Sequence, residues 1–217
     1  MKNMHLIAAS ILASLLTAGC TSQTPSQTNY SGFLSNYADL EKATTPSGNT
    51  VLRKVDPNFN MANYSGLVFR PVTFYPQPKP SEQINAQTLQ QLLDHTNRVL
   101  SGALSKRLPL VQEAGPGTLV FRGAITGVNT STEGLQFYEV IPVALVVAGT
   151  MAATGHRDQN TELFLEGEFI DSSTGKPVVE VVRKGFGAVL DNDKQQVTLE
   201  DLKGIIDDMA VDIARFP

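Results

Sequence analysis

The order strand, long helix, strand, apolar crossover, hairpin, helix predicts an α/β (α+β) domain, a small mixed β-sheet of about four strands packed by a long helix and a C-terminal helix. Three patterns carry that prediction. Between residues 81 and 108 the side chains of Leu89, Leu92, Leu93, Thr96, Val99, Leu100, Ala103 and Leu104 keep helical spacing, a stripe that must lie on a core. Residues 161–171 and 178–189 alternate in character around Ser172, Ser173, Thr174, Gly175, Lys176 and Pro177, the chemistry of a hairpin turn. Leu202, Ile205, Ile206, Met209 and Ile213 repeat the helical spacing near the end of the chain.

Residues 1–19 read as a secretory leader. Lys2 supplies the positive start, residues 6–16 are apolar apart from Ser10 and Ser14, and Ala18 and Gly19 are small. A bilayer span needs roughly 20 apolar residues, so this run is too short for one. The leader ends in Leu16-Thr17-Ala18-Gly19-Cys20, which resembles the bacterial lipobox, with Thr17 where that box usually carries leucine. The resemblance implies cleavage between Gly19 and Cys20 and attachment of diacylglycerol to the Cys20 thiol. Cys20 is the only cysteine, so it has no disulfide partner within the chain. Each buried methylene contributes about 0.8 kcal/mol and stable anchoring takes more than one chain, so a lipoprotein terminus with two or three holds firmly. Thr21 stands where, by resemblance to enterobacterial sorting, an aspartate would favour the inner membrane. The expected address is the outer membrane, with the domain facing the periplasm.

Cleavage of the first 19 of 217 residues leaves 198, and Lys2 is the only charge lost, so the formal charge goes from −4 to −5. Nucleic-acid binding rests on phosphate neutralisation by clustered Lys and Arg, and no such stripe is present. With 41% hydrophobic and 18% charged residues the composition is that of a globular domain.

Residues 20–29 form a lipidated tether, because beyond Cys20 they hold no apolar side chain except Pro25. Residues 30–60 are an N-terminal docking segment and loop. Phe33, Leu34, Tyr37 and Leu40 suit one face of a short helix, too short to stand alone, so it docks on its own domain or on a partner. Phe33, Leu34 and Tyr37 are the partner-contact candidates. Residues 41–50 read as a loop and 51–59 as a short extended stretch. The α/β domain proper occupies 61–217. Residues 66–75 form a strand in which Pro71 demands an edge position or a bulge. Ser81 is the expected cap of the long helix, and His95 lies at the boundary of its stripe. In residues 118–128, Leu119, Phe121, Gly123 and Ile125 share one face, and 129–136 read as a polar loop. Residues 140–155 carry no charge and, with Pro142 and Gly149 inside them, read as a crossover covering the sheet or as a membrane- or partner-contacting segment. In the hairpin, Leu163, Leu165, Gly167 and Phe169 oppose Phe164, Glu166, Glu168 and Ile170, whose carboxylates read as a solvated face. Thr198 and Asp201 look like a capping box for the last helix.

Catalytic patterns are missing. The sole cysteine is assigned to the lipid, His95 and His156 lack ligand spacing, and there is no Gly-x-Ser-x-Gly elbow or phosphate loop. Asp191, Asn192 and Asp193 fail as a calcium loop because Leu202 stands where a bidentate Glu is needed. No cofactor or metal is expected.

Tyr30-Ser31-Gly32-Phe33-Leu34 with Tyr37 and Leu40, and Tyr64-Ser65-Gly66-Leu67-Val68 leading to Pro71-Val72, resemble the proteobacterial lipoproteins of the Domain of Unknown Function 3313 family. That resemblance brings no catalytic residues. The element order is also similar to small periplasmic domains of outer-membrane accessory lipoproteins, among them activators of cell-wall synthases and curli-type secretion lipoproteins. The expected function is a membrane-anchored, non-enzymatic binding or accessory module that meets an envelope protein or polymer. The alternatives are an oligomeric secretion or channel component using residues 140–155, and an enzyme with an unrecognised site.

Overall fold

The computed structural model describes residues 30–132, 159–192 and 194–216. The leader, Cys20, the tether, residues 140–155 and His156 lie outside the described residues. Among the described residues the elements run β1 (Glu41–Thr44), β2 (Thr50–Val55), β3 (Gly66–Phe69), β4 (Thr73–Phe74), α1 (Ala86–Leu104), β5 (Thr118–Thr132), β6 (Gln159–Asp171), β7 (Pro177–Leu190) and α2 (Leu199–Ala214). One seven-stranded sheet has the order β1-β2-β7-β6-β5-β3, with β4 also on β5. The mixed α/β class is the one the sequence implies, but the sheet has seven strands rather than about four.

The additional strands are short and polar. The stretch read as a loop over residues 41–50 holds β1 and the turn into β2, and β2 pairs antiparallel with β7 through Leu52↔Val182 and Lys54↔Glu180. The N-terminal segment therefore contributes to the same sheet as the domain expected from residue 61. Pro71 divides the predicted strand 66–75 into β3 and β4, both parallel to β5 at the far edge. The Asn97 side-chain amide of α1 serves the break, accepting from Val72 N–H at 2.7 Å and donating to Val72 C=O at 3.1 Å, so both freed backbone groups are satisfied. α1 is the crossover that a parallel pair requires.

α1 starts later than Ser81. The Ser81 hydroxyl accepts from Ile84 N–H at 3.0 Å in a preceding turn, and Asn85 is the cap, its Oδ1 taking Thr88 N–H at 2.8 Å. At α2 the Asp201 carboxylate accepts the Thr198 backbone N–H at 2.7 Å and its hydroxyl at 2.8 Å, as the capping-box pattern implies. Both helices lie on one face of the sheet. Leu67, Leu119, Phe121, Ile125, Leu163 and Leu165 meet Leu92, Leu100 and Leu104 of α1 and Leu202, Ile205 and Ile206 of α2. α2 sits directly on β7 because Gly185 and Gly187 leave room. A Cβ on Gly187 would stand 1.9 Å from the Asp201 carbonyl oxygen, and one on Gly185 would stand 2.2 Å from Ile205 Cγ2.

Candidate functional site

On the helix-covered face the strands should present an unbroken apolar row. In the middle of the sheet they do not. Gly123 of β5 and Gly167 of β6 are register partners, and Val181 of β7 is opposite Gly167. Where two facing positions lack side chains, the helices above cannot fill the space, and a cavity of about 110 Å³ remains. Leu100 and Leu104 come from α1, Met209 and Ile213 from α2, and Phe121 and Leu165 from the sheet. The cavity is partly open to solvent, and its half-buried or exposed rim includes Pro46, Arg53, Met61, Arg107 and Phe216. An engineered apolar cavity of about 150 Å³ takes up benzene, so the volume suits a small apolar body.

Polar groups gather at one side. Arg183 on β7 is 4% exposed and its Nη1 donates to Asp212 Oδ2 on α2. Asp212 Oδ1 also accepts from Ser47 N–H at 2.7 Å. Arg183 Nε is buried and has no hydrogen-bond partner among the described residues. Arg107 donates to the carbonyls of Ala214 at 3.0 Å and Phe216 at 2.6 Å, holding the segment after α2 at the rim. Arg53 lies 5.2 Å from the centre of the Phe216 ring.

The opposite face was expected to be solvated; it is buried. Glu162, Glu166, Glu168 and Glu180 are all at or below 5% exposure. Residues 30–40 are not a helix but an irregular strap over part of this face. Leu34 is buried at 2% against Leu52 and Val182, with Tyr30, Phe33, Tyr37 and Leu40 packed around it. The strap closes on Glu166, whose carboxylate accepts from Ser31 N–H at 3.0 Å, Leu34 N–H at 3.4 Å and the Tyr37 hydroxyl at 2.5 Å. The Tyr37 oxygen in turn accepts Gly32 N–H at 2.9 Å and Leu34 N–H at 3.1 Å. Gly32 has φ +86°, a conformation that glycine adopts without steric cost. Tyr30 stacks on Tyr37 at 4.3 Å, and Arg122 lies over the Phe33 ring at 4.7 Å. This geometry gives Tyr30-Ser31-Gly32-Phe33-Leu34 and Tyr37 a physical role. They satisfy a carboxylate that the sheet leaves without an arginine or lysine.

The other charges are matched in pairs. Arg122 meets Glu168, and Lys184 meets Glu162 at 2.9 Å between the rings of Phe164 and Phe186. Lys54 approaches Glu180 at 3.8 Å, and Glu180 Oε1 has no hydrogen-bond partner among the described residues. Burial holds the Glu168 and Glu180 carboxyls above the usual range, against the opposing pull of Arg122 and Lys54. Burial also lowers the Lys184 ammonium, with Glu162 working the other way. Burial and then the hydrogen bond to Glu166 push Tyr37 up to about 12.

The residues predicted from sequence do not converge on one site. Phe33, Leu34 and Tyr37 belong to the strap, with Leu34 fully covered. Gly19 and Cys20 lie outside the described residues. His95 is buried rather than at a boundary. Its Nδ1 accepts from Arg98 at 2.9 Å, so the ring proton sits on Nε2, 3.3 Å from Asp207. Sequence reasoning missed Arg183, Asp212 and the facing glycines. Gly123 and Gly167 stood in the core-facing series, but only the strand register puts them opposite each other.

Comparison with known proteins finds near relatives in sequence and distant neighbours in structure. The Escherichia coli K12 protein named "Uncharacterized lipoprotein YdcL" is 51% identical over 208 residues, 96% of this chain and 94% of its own length. The O157:H7 strain protein of the same name gives the same figures. Among solved structures, the PelC dodecamer from Paraburkholderia phytofirmans is 13% identical and covers 76% of this chain and 92% of its own, with a TM-score of 0.33 that carries no functional argument. The model of the family described as "Protein of unknown function (DUF3313)" matches residues 29–213, so it takes in the strap, the whole sheet and nearly all of α2, and the chain belongs to that family.

Proposed function

We propose that this protein is a lipid-anchored, non-enzymatic binding module of the cell envelope, with its domain in the periplasm on the outer membrane, and that the cavity is where it binds. The observation that carries this reading is the floor of Gly123 and Gly167. The recess keeps an apolar wall uncovered beneath an open rim, a cost that one larger side chain would remove. A ligand taken up there would offset it. The leader, Cys20 and Thr21 support the address. The name of the 51% identical relative supports the lipid.

The test of binding uses a fluorescent apolar probe displaced by short alkanols. Wild-type protein is expected to take up the probe, and Gly167→Leu, which puts a branched side chain into the cavity, is expected to abolish uptake while keeping the fold. Uptake unchanged in Gly167→Leu sinks the assignment of the cavity. For the address, Cys20→Ala is expected to release the protein from the membrane fraction. A variant that still sediments with the outer membrane would count against a lipid anchor.

A further inference from the structure

We infer that the occupant of this cavity is an anionic amphiphile, a short apolar chain ending in a carboxylate-like head received by Arg183. The inference rests on the binding reading above and adds the ligand's chemistry. Its first ground is the orphaned donor. Arg183 is 96% buried, since 4% of it is exposed, and it lines the cavity, yet among the described residues its Nε–H meets no acceptor. Buried polar groups are ordinarily satisfied, and a guanidinium has donors only, so the missing partner is an acceptor. Asp212 does not supply it. Its Oδ2 is held by Arg183 Nη1 and its Oδ1 accepts the Ser47 N–H.

The second ground is the charge balance. Among the described residues, Arg53, Arg107 and Arg183 line the cavity, and Asp212 is the carboxylate that faces them. Glu166 and Glu168 belong to the opposite face, where the strap and Arg122 take them. A surplus of guanidinium at one cavity is notable in a chain of net charge −4. It favours an anionic head over a neutral one. A planar guanidinium also matches a carboxylate better than a point charge does. The third ground is the size and wall of the cavity. About 110 Å³ of space lined by leucine, valine, methionine and phenylalanine suits a chain of a few carbons, with the rest leaving through the open rim.

The experiment compares hexanoate with 1-hexanol, which share the chain and differ in the head. The whole mature chain from residue 20 is used, with Cys20→Ser so that neither acyl chains nor detergent compete. Binding is followed by NMR at the amides of Gly123 and Gly167. Hexanoate is expected to bind at least about 10-fold tighter than 1-hexanol, as hydrogen bonds to charged groups imply. In Arg183→Met with Asp212→Leu, which replaces the buried pair by apolar residues of similar size, the preference should fall below about 3-fold with hexanol binding kept. If that double variant does not fold, Arg183→Lys keeps the charge, loses the Nε–H, and should weaken hexanoate several-fold. Equal affinity for the two probes in wild type overturns this inference and leaves a cavity for neutral molecules. Shifts with neither probe at either glycine overturn the binding reading beneath it as well.

Discussion

Replacing Gly167 by alanine should make the protein more stable. Gly167 is buried, and its φ lies outside the left-handed region, so an L-residue fits its backbone. A Cβ there would lie 3.6 Å from the Arg122 carbonyl oxygen, 3.7 Å from Phe121 Cε2 and 3.8 Å from Val181 Cγ1, all ordinary contact distances. Two gains follow. A buried methyl contributes about 0.8 kcal/mol. Loss of glycine's freedom in the unfolded chain contributes about 0.4–1 kcal/mol more. The sum is about 1–2 kcal/mol, and for a chain of this size each kcal/mol moves Tm by about 2–4 °C. Gly167→Ala should therefore melt about 2–8 °C higher, with the urea midpoint raised and the m-value unchanged, and should bind the apolar probe more weakly. Gly123→Ala is the contrast, because its Cβ would press on Phe121 Cζ at 3.1 Å and on the Glu166 carbonyl at 3.4 Å, so its gain should be smaller or reversed. A fall in Tm of more than about 2 °C for Gly167→Ala would mean that the floor is already filled, and the reasoning from the cavity would fail.

Tyr37→Phe removes the donor at 2.5 Å from Glu166 and should cost about 1.5–3 kcal/mol in urea unfolding, an effect largely absent when Glu166 is already Gln. Gly187→Ala drives a methyl into the Asp201 carbonyl and should cost about 3 kcal/mol or more, read as loss of the folded circular-dichroism signal at a lower urea concentration. Tyr37 and Tyr64 both ionise near 12 in the folded protein and near 10 when unfolded, so the stability they contribute is complete below pH 10 and is lost as pH rises from 10 to 12. Absorbance at 295 nm should show these two phenols titrating only as the fold melts. Glu168 and Glu180 hold their protons to higher pH folded than unfolded, so their contribution is greatest below pH 4.5 and declines as pH rises through their folded values. Glu180→Gln should flatten that decline in unfolding curves taken between pH 4 and 7.

Periodicity made the larger elements legible. The stripe of α1, the spacing of α2 and the alternation of Leu163, Leu165, Gly167 and Phe169 each report a face that meets a core, and that information is local. What alternation cannot report is what lies over the other face. Glu166 and Glu168 read as solvated because the strap that bonds Glu166 and sits over Arg122, the partner of Glu168, is more than 120 residues away in sequence. β1 falls in a stretch that reads as a loop, and β2 reads only as a short extended stretch, for a related reason. Glu41–Thr44 and Thr50–Val55 are short, the first is largely polar and the second half polar, and β7 is what makes β2 a strand. The cavity depends on register, since a shift of one residue between β5 and β6 would separate Gly123 from Gly167. Capping chemistry was more legible than its position. Both Ser81 and Asn85 make a cap-like bond, and the second of them opens the helix.

The pairing of β2 with β7 sets the order in which the chain can assemble. Leu52 meets Val182, 130 positions later, and Ser31 meets Glu166, 135 positions later. Contacts of such separation close large loops and dominate the folding time of a domain this size. The sequential hairpin of β6 and β7 needs no such closure and forms a surface on which the rest can condense. The strap and the first two strands have no template in the sheet until residues 177–190 are available. The amino-terminal segment is then the last to be placed, and a chain interrupted before β7 would leave its own amino-terminal third exposed.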